Sequence, residues 1–491
     1  MSLYRSTVVG VAWITLGQIG TRIASLAGTL VIARLLAPQD YGLFALVLTL
    51  REVVAMVFSL GFDNYLVRSR TEDPDDYSTV WTLNLLQGGT VALVVAALAR
   101  PLAGWLDMPH LDVALWCSIP AILLASAGNP WLVQYIREMR FQYGVIQAAA
   151  ATGISLLVTI ALALTWERNY LALIAGNFAF AVVSFVLSYV MHPGRPRPTL
   201  RNWRKPVSFG AWMSVSGMVM AVSTRFDVFI LQRFAGEAAV GLFTMARDIV
   251  STPVQQIVLS TSGALFSGLS SIQDDRARVK RAYFQSLAAI VTVLWPILLG
   301  MAAVAPALLP VLLGERWRPS IPLLIAIAPM VAVQMMAANT QAVVMLSDRL
   351  HLWMQRSLAY ATVRLPFFLA GAWLGGLHGA VRGYVAAGLL LAAIDLTLVS
   401  RVLPVTRHDY FQIFLRPAVA SVAMLVAALG MREIMPGETW LALLAAVVAG
   451  GLAYVATLMA LWQAQGRPDG LEARALAMLQ GLMATAVARA R

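Results

Sequence analysis

The chain has 491 residues, 59% hydrophobic and only 12% charged, against about 25% charged in soluble chains. With a mean hydropathy of +0.75, this excludes an ordinary soluble globular protein and predicts an all-α integral membrane protein. The net charge of +12 invites a nucleic-acid reading, but basic loops on a membrane protein reflect its orientation in the bilayer, so no nucleic-acid partner is expected. The one cysteine, Cys117, lies in an apolar run, so no intramolecular disulfide can form.

Apolar runs between charged or Pro/Gly breaks predict about 14 spans. They fall near residues 8–34, 41–66, 78–98, 111–133, 143–165, 170–191, 206–234, 239–270, 283–309, 320–345, 357–375, 379–400, 413–431 and 439–462. The first is too long for a signal-peptide core and carries Arg22 in its middle, so cleavage is not expected. Of the 36 Lys and Arg residues, 22 fall in one set of loops and tails and 7 in the other. The richer side is predicted to be cytoplasmic, with both termini there.

The stretch "HPGRPRPTLRNWRKP" (192–206) is rich in Pro and Arg and lacks an apolar run. An internal repeat straddles it. "ARLLAPQDYGLFAL" (33–46) aligns with "QRFAGEAAVGLFTM" (232–245) at a shift of 199, matching Arg34 to Arg233 and Gly42-Leu43-Phe44 to Gly241-Leu242-Phe243. Upstream, Gly10 and Trp13 fall near Gly210 and Trp212. Parallel repeats of this kind are a transporter architecture with the substrate site between the halves. The expected organisation is an N-lobe over 1–192 (spans one to six), a basic cytoplasmic linker over 193–206 and a C-lobe over 207–400 (spans seven to twelve). Two further spans follow within 401–462, then a cytoplasmic amphipathic tail over 463–491 with Leu471, Met478 and Leu482.

These motifs carry a resemblance. "LLAPQDYGLFAL", "SLGFDNYLVRSR", "RFDVFILQRFAGEAAVGLFTMA", "LFSGLSSIQDDRARVKRAY" and "LLGERWRPSIPLL", in this order and placement, resemble the polysaccharide-export branch (Wzx-type oligosaccharide flippases) of the MOP transporter superfamily. The match covers most of the chain; beyond about residue 345 it rests on span count alone. The resemblance implies a V-shaped two-lobe transporter of lipid-linked saccharides, with spans thirteen and fourteen cradling the lipid tail. The implied substrate is an undecaprenyl-diphosphate-linked oligosaccharide: an exopolysaccharide, O-antigen or capsule repeat unit. It would be moved from the cytoplasmic to the outer leaflet of a bacterial inner membrane by alternating access. Membrane lipids, and a polymerase with its assembly machinery, are the other implied partners. No cofactor, metal or catalytic residue is expected. A proton or sodium gradient or the membrane potential is expected to drive transport. The alternative is a multidrug or metabolite cation antiporter of the same superfamily.

Charges at mid-membrane depth cost about 2.5–3.5 kcal/mol each on insertion scales, so they face partners or wet cavities. In span one Thr15, Gln18, Arg22, Ser25 and Thr29 share one helix face, which either lines a cavity or joins helices. Arg51 and Glu52 lie near mid-depth in span two, and Arg247 and Asp248 at similar depth in span eight, followed by Thr252, Gln255 and Gln256. Both pairs either line the cavity or neutralise one another. In span seven "STRFDVFILQRF" (223–234) sets Arg225 and Asp227 two apart, so a regular helix cannot point both one way. Arg225 is expected to face the cavity and Asp227 another span of the same half. The headgroup set is thus Arg22, Arg51, Arg225, Arg247, Gln18 and Gln255, and the coupling or ion-pair candidates are Glu52, Asp227 and Asp248. Arginine suits this role because its planar fork binds phosphate oxygens bidentately. A surplus of positive charge favours a diphosphate over a cationic drug. Arg364 adds to it, Arg382 and Arg416 are expected to snorkel, and Asp395 reads as a lone acid. "DPDD" (73–76) has the look of a sugar-nucleotide motif, but acids also favour a helix start. The five histidines have no metal-ligand spacing.

Overall fold

A computed structural model describes the backbone of Gly20, Ser25 and residues 27–69, 73–166, 168–270, 275–345 and 350–466. Side chains of 209–224, 259–260, 262–270, 345, 350 and 353 lie outside the described set. So do Thr15, Gln18, Arg22 and the 467–491 tail.

Among the described residues all regular structure is helical. Residues 27–35 are helical (α1). There follow α2 (Pro38–Phe58), α3 (Phe62–Ser69), α4 (Pro74–Trp105), α5 (Leu111–Ser126), α6 (Val133–Arg137), α7 (Gln142–Thr165) and α8 (Tyr170–Met191). Then come α9 (Arg204–Ser270), α10 (Arg276–Leu313), α11 (Ile321–Gln334), α12 (Thr340–Met345), α13 (Leu350–Val402), α14 (Arg407–Ile434) and α15 (Trp440–Ala464). Starts are set by side-chain caps. Asp73, Asn169, Asp275, Thr406 and Thr439 each accept a hydrogen bond from a backbone N–H of the first turn, satisfying groups with no intrahelical partner. "DPDD" is such a start: Asp73 caps α4, and Asp75 and Asp76 sit in its first turn.

Ten described helices are long and apolar enough to cross a membrane, or eleven if the bent pair α5–α6 is one span. Two of them hold two crossings' worth of chain. α9 loses helical geometry at Gly236 (φ 81°), and α13 at Gly375 and Gly376 (φ 55° at the latter). At about 1.5 Å per residue, 67 and 53 residues far exceed one 30 Å core. In α13 the limbs fold back on each other. A Cβ on Gly371 would collide with the Gly379 carbonyl, one on Gly379 with that of Gly371, and one on Gly383 with that of Phe367. Contact between lipid-embedded helices comes from close van der Waals packing, which small residues permit. These breaks coincide with the predicted divisions between spans seven and eight and between eleven and twelve, and the observed set is compatible with fourteen.

Three spans expected to be continuous stop early or break. Span two ends at Phe58, not 66: Gly61 takes a left-handed φ of 59°, and α3 runs on as a separate short helix. Its Phe62 and Leu66 pack on Tyr77, Val80, Leu83 and Val133. Span four is not straight. α5 stops at Ser126, and a 3-10 turn and α6 leave at 54°. Pro130 disfavours helix in the residue before it, and Asn129 caps the new turn through the Trp131 N–H. Span ten breaks likewise, with a 3-10 turn at Met335–Ala337 and Asn339 at φ 63° before α12. Each break buries an asparagine whose amide donates outward, Asn129 to the Gly194 carbonyl and Asn339 to Ser286 Oγ.

The chain packs as two compact units, Met1–Leu242 and Phe243–Arg491. In the first, α4, α5 and α8 gather around α2, with α7 against α8. The repeat becomes a physical contact here. A Cβ on Gly42 would collide with the Glu237 carbonyl, and one on Gly241 with that of Pro38. Both pairs are related by the same shift of 199, so the contact is reciprocal. In the second unit α14 and α15 pack on α10. Lys280 of α10 pairs with Asp409 of α14 at 2.7 Å, Tyr454 of α15 donates to the Thr292 carbonyl and Arg432 to that of Ala303.

Candidate functional site

In the first unit three helices meet at a mixed-charge cluster. α2 begins at Pro38, with Asp40 accepting the Ala37 N–H, and carries Arg51 and Glu52 in its second half. Arg51 Nη1 donates to Asn177 Oδ1 of α8 at 2.7 Å. Glu52 Oε2 lies 2.8 Å from Arg225 Nη2 of α9, with the two side chains 40% and 35% exposed. Two arginines therefore flank one carboxylate, and the ion pair keeps part of its surface open. Arg225 has one turn of α2 as its partner, 173 positions away in sequence. Asp227, two residues on, is 1% exposed, and its Oδ1 accepts the Val228 N–H at 2.9 Å. Of the two, Arg225 is half-open and Asp227 shut in.

The second unit carries the span-eight pair. Arg247 Nε is 3.7 Å from Asp248 Oδ1, with Asp248 largely exposed. The Arg247 guanidinium lies 5.6 Å from the Phe243 ring centre. Phe243 meets Tyr384 edge-on at 5.6 Å, and Arg364 stands 4.9 Å over Tyr384. Cations over aromatic faces are held in place electrostatically. Gln255 is exposed on the same helix. Among described members of the predicted set, Arg51, Arg225 and Arg247 balance Glu52, Asp227 and Asp248; the expected cationic surplus rests on Arg22, outside the described residues, and on Arg364.

Asp395 is not the lone acid expected. Its Oδ1 accepts from Arg356 Nε at 2.6 Å, its Oδ2 from Arg356 Nη2 at 3.0 Å and from Tyr360 Oη at 2.8 Å. The predicted span 357–375 leaves Arg356 outside it; α13 starts at Leu350, so Arg356 is a helix residue facing its own return limb. Asn177 was also missed, although a polar residue in the apolar run "LALIAGNFAFAVV" is a usable signal. A cavity of about 300 Å³ beside the span-four break, bordered by Asp63, Asn84, Gln147 and Ser184, contains none of the predicted site residues. Among the described residues no cluster of three or more His, Cys, Asp or Glu could hold a metal ion.

Residues 31–322, more than half of the chain, match the family described as Polysaccharide biosynthesis protein. The lipopolysaccharide biosynthesis protein WzxC of Escherichia coli (strain K12) is 22% identical over 449 residues, covering 89% of this chain and 90% of that one. Among solved structures, the lipid II flippase MurJ in an inward closed conformation matches with a TM-score of 0.73 at 13% identity, over 93% of this chain and 100% of that one. An inward-facing MATE family multidrug resistance transporter of the MOP superfamily matches with a TM-score of 0.56 at 15% identity, over 80% and 98%. At such identities the likeness is one of fold, shared with these two transporters. With its family match running from α1 into the start of span ten, the chain belongs to the polysaccharide biosynthesis protein family.

Proposed function

We propose that this multi-pass membrane protein is a flippase for lipid-linked oligosaccharide. The observation that carries the reading is the Arg51–Glu52–Arg225 cluster: two forked cations held inside membrane-spanning helices of a chain from a polysaccharide biosynthesis family. A diphosphate offers the oxygens such forks take bidentately. In our reading the substrate is undecaprenyl-diphosphate-linked, the membrane is a bacterial inner membrane, and both termini are cytoplasmic. The headgroup displaces Glu52 from Arg225, and Arg225 exchanges one anion for another. Glu52, released, or the buried Asp227 takes up the coupling proton or cation, and the imposed potential is worth about 2.3 kcal/mol per charge per 100 mV. Arg22, Arg247, Gln18 and Gln255 complete the headgroup set, with Asp248 as a further coupling candidate. No bond is made or broken in the substrate, so the protein is not an enzyme.

The test is flipping of a fluorescent diphosphate-linked oligosaccharide in proteoliposomes under an imposed gradient, scored by its accessibility to an impermeant quencher. The expected result is gradient-dependent flipping that stops in Arg225→Ala. Efflux of cationic drugs without any flipping would overturn the reading in favour of an antiporter.

A further inference from the structure

The segment joining α8 to α9 is not a free linker. His192 stacks on Trp131 (ring centres 5.6 Å apart), which stacks on Tyr77 (4.1 Å). The Gly194 N–H donates to His192 Nδ1, and the Gly194 carbonyl accepts from Asn129 Nδ2. A Cβ on Gly194 would collide with the Trp131 ring. Further on, the N–H groups of Arg197 and Thr199 donate to Ser78 Oγ (3.3 Å) and Thr82 Oγ1 (3.0 Å). Those hydroxyls stand one turn apart on α4 and match the two-residue step of an extended chain. Arg201 then pairs with Asp75 at 2.9 Å, and Asn202 donates to Asp76. Residues 192–202 thus form a strap pinned along the start of α4.

The Arg195 guanidinium donates back to the His192 and Gly194 carbonyls, while pinning the backbone leaves the Arg197, Arg204 and Lys205 side chains exposed. Asp75 neutralises only Arg201. Leu200 and Trp203, each 45% exposed, stand among them, with the Arg204 guanidinium 5.8 Å from the Trp203 ring centre. The strap begins directly after α8 ends and runs into α9, so both its ends adjoin membrane-spanning helices, and charge there acts on a bilayer surface over a Debye length of about 8 Å at physiological salt. We infer that the 192–205 strap is a docking surface for anionic phospholipid headgroups, its Arg197, Arg204 and Lys205 meeting phosphates while Leu200 and Trp203 enter the interfacial layer. Aromatic rings prefer that depth, and cations there are drawn to an anionic surface. A loop serving only to set orientation needs positive charge; it needs neither a fixed backbone nor apolar side chains displayed beside the charge. The inference is independent of what the protein transports.

The full chain, purified in detergent, is titrated with phosphatidylglycerol or phosphatidylcholine and bound lipid is counted by native mass spectrometry. The wild type is expected to prefer phosphatidylglycerol. The combined variant Arg197→Gln, Arg204→Gln, Lys205→Gln is expected to lose roughly 100-fold in that affinity, at about 5-fold per cation, with an unchanged melting temperature in phosphatidylcholine nanodiscs. Equal phosphatidylglycerol binding by the variant overturns the proposal. So does displacement of the lipid by equimolar inorganic phosphate, which marks a free-anion site. Loss of both lipids alike in Trp203→Ala, with no headgroup preference in the wild type, also overturns it.

Discussion

Two arginine–carboxylate pairs inside the membrane-spanning helices differ in how fully each acid is satisfied. Arg356 grips Asp395 through two nitrogens, Tyr360 adds a third bond, the guanidinium lies 4.2 Å from the Tyr360 ring centre, and the side chains are 20% and 7% exposed. Arg225 touches Glu52 through one nitrogen, with both side chains more than a third exposed. The first pair joins the two limbs of one hairpin; the second joins helices far apart in sequence. A closed pair has nothing left to offer a ligand, and its loss strands a buried charge. An open pair can trade one partner for another at little cost. The same chemistry is thus closed in one unit and half-open in the other.

The largest effect is expected at the closed pair. Arg356→Ala leaves Asp395 buried without its cation, which costs about 3–5 kcal/mol, so folded protein recovered after extraction should fall sharply. Replacing both partners with leucine should restore much of it, since a buried pair exchanged for apolar side chains is often neutral. Wild-type recovery of Arg356→Ala alone would break the contrast.

Next comes the contact that brings α2 to α9. Gly42→Ala drives a methyl into the Glu237 carbonyl, and overpacking costs about 1–3 kcal/mol. Three turns along α2, Glu52 should lose its register with Arg225. Melting temperature and export should both drop, whereas Gly89→Ala, where an added Cβ meets nothing within 4 Å, should leave both intact. A cysteine pair at Gln39 and Ala238, beside the same contact, should crosslink and halt export.

A smaller stability effect, with a large functional one, is expected at the open pair. Arg225→Ala should cost at most about 1 kcal/mol, because an exposed pair is screened, so protein amount stays near normal while flipping stops. Arg225→Lys should restore flipping only in part, a point charge being no substitute for the fork. Glu52→Gln should keep the protein folded and weaken its response to the gradient. Normal flipping by Arg225→Ala would place this pair with Asp395 as architecture.

The smallest effect concerns the strap. Burial, and then Arg195, hold the His192 imidazole below its usual pKa, against an opposing pull from Glu138. The neutral ring accepts the Gly194 N–H, so its contribution is present above the ordinary histidine range and is lost as pH falls through the lowered value. The protection of the 193–200 amides, corrected for the slower intrinsic exchange at lower pH, should therefore fall between pH 7.5 and 5. Unchanged protection would show that the Ser78 and Thr82 bonds suffice to hold the strap.

Hydropathy alone determined the membrane, most of the spans and the two divisions at Gly236 and at Gly375–Gly376, because a run of apolar residues long enough to cross a bilayer has few other fates and glycine marks where helical geometry is lost. The 199-residue repeat was legible because the contact it makes needs glycine at both Gly42 and Gly241. Helix periodicity likewise separated Arg225 from Asp227. What periodicity cannot supply is the partner. Arg225 meets Glu52, Arg51 meets Asn177 and Arg356 meets Asp395 across 39 to 173 positions of sequence, and no local pattern encodes which helix stands opposite. The kinks in spans four and ten were hidden for the same reason. At the span-four break the freed Asn129 N–H donates to Ser188 Oγ of α8 and the Trp131 N–H to Asn129 Oδ1, so only the packed protein decides that a broken helix is tolerable there.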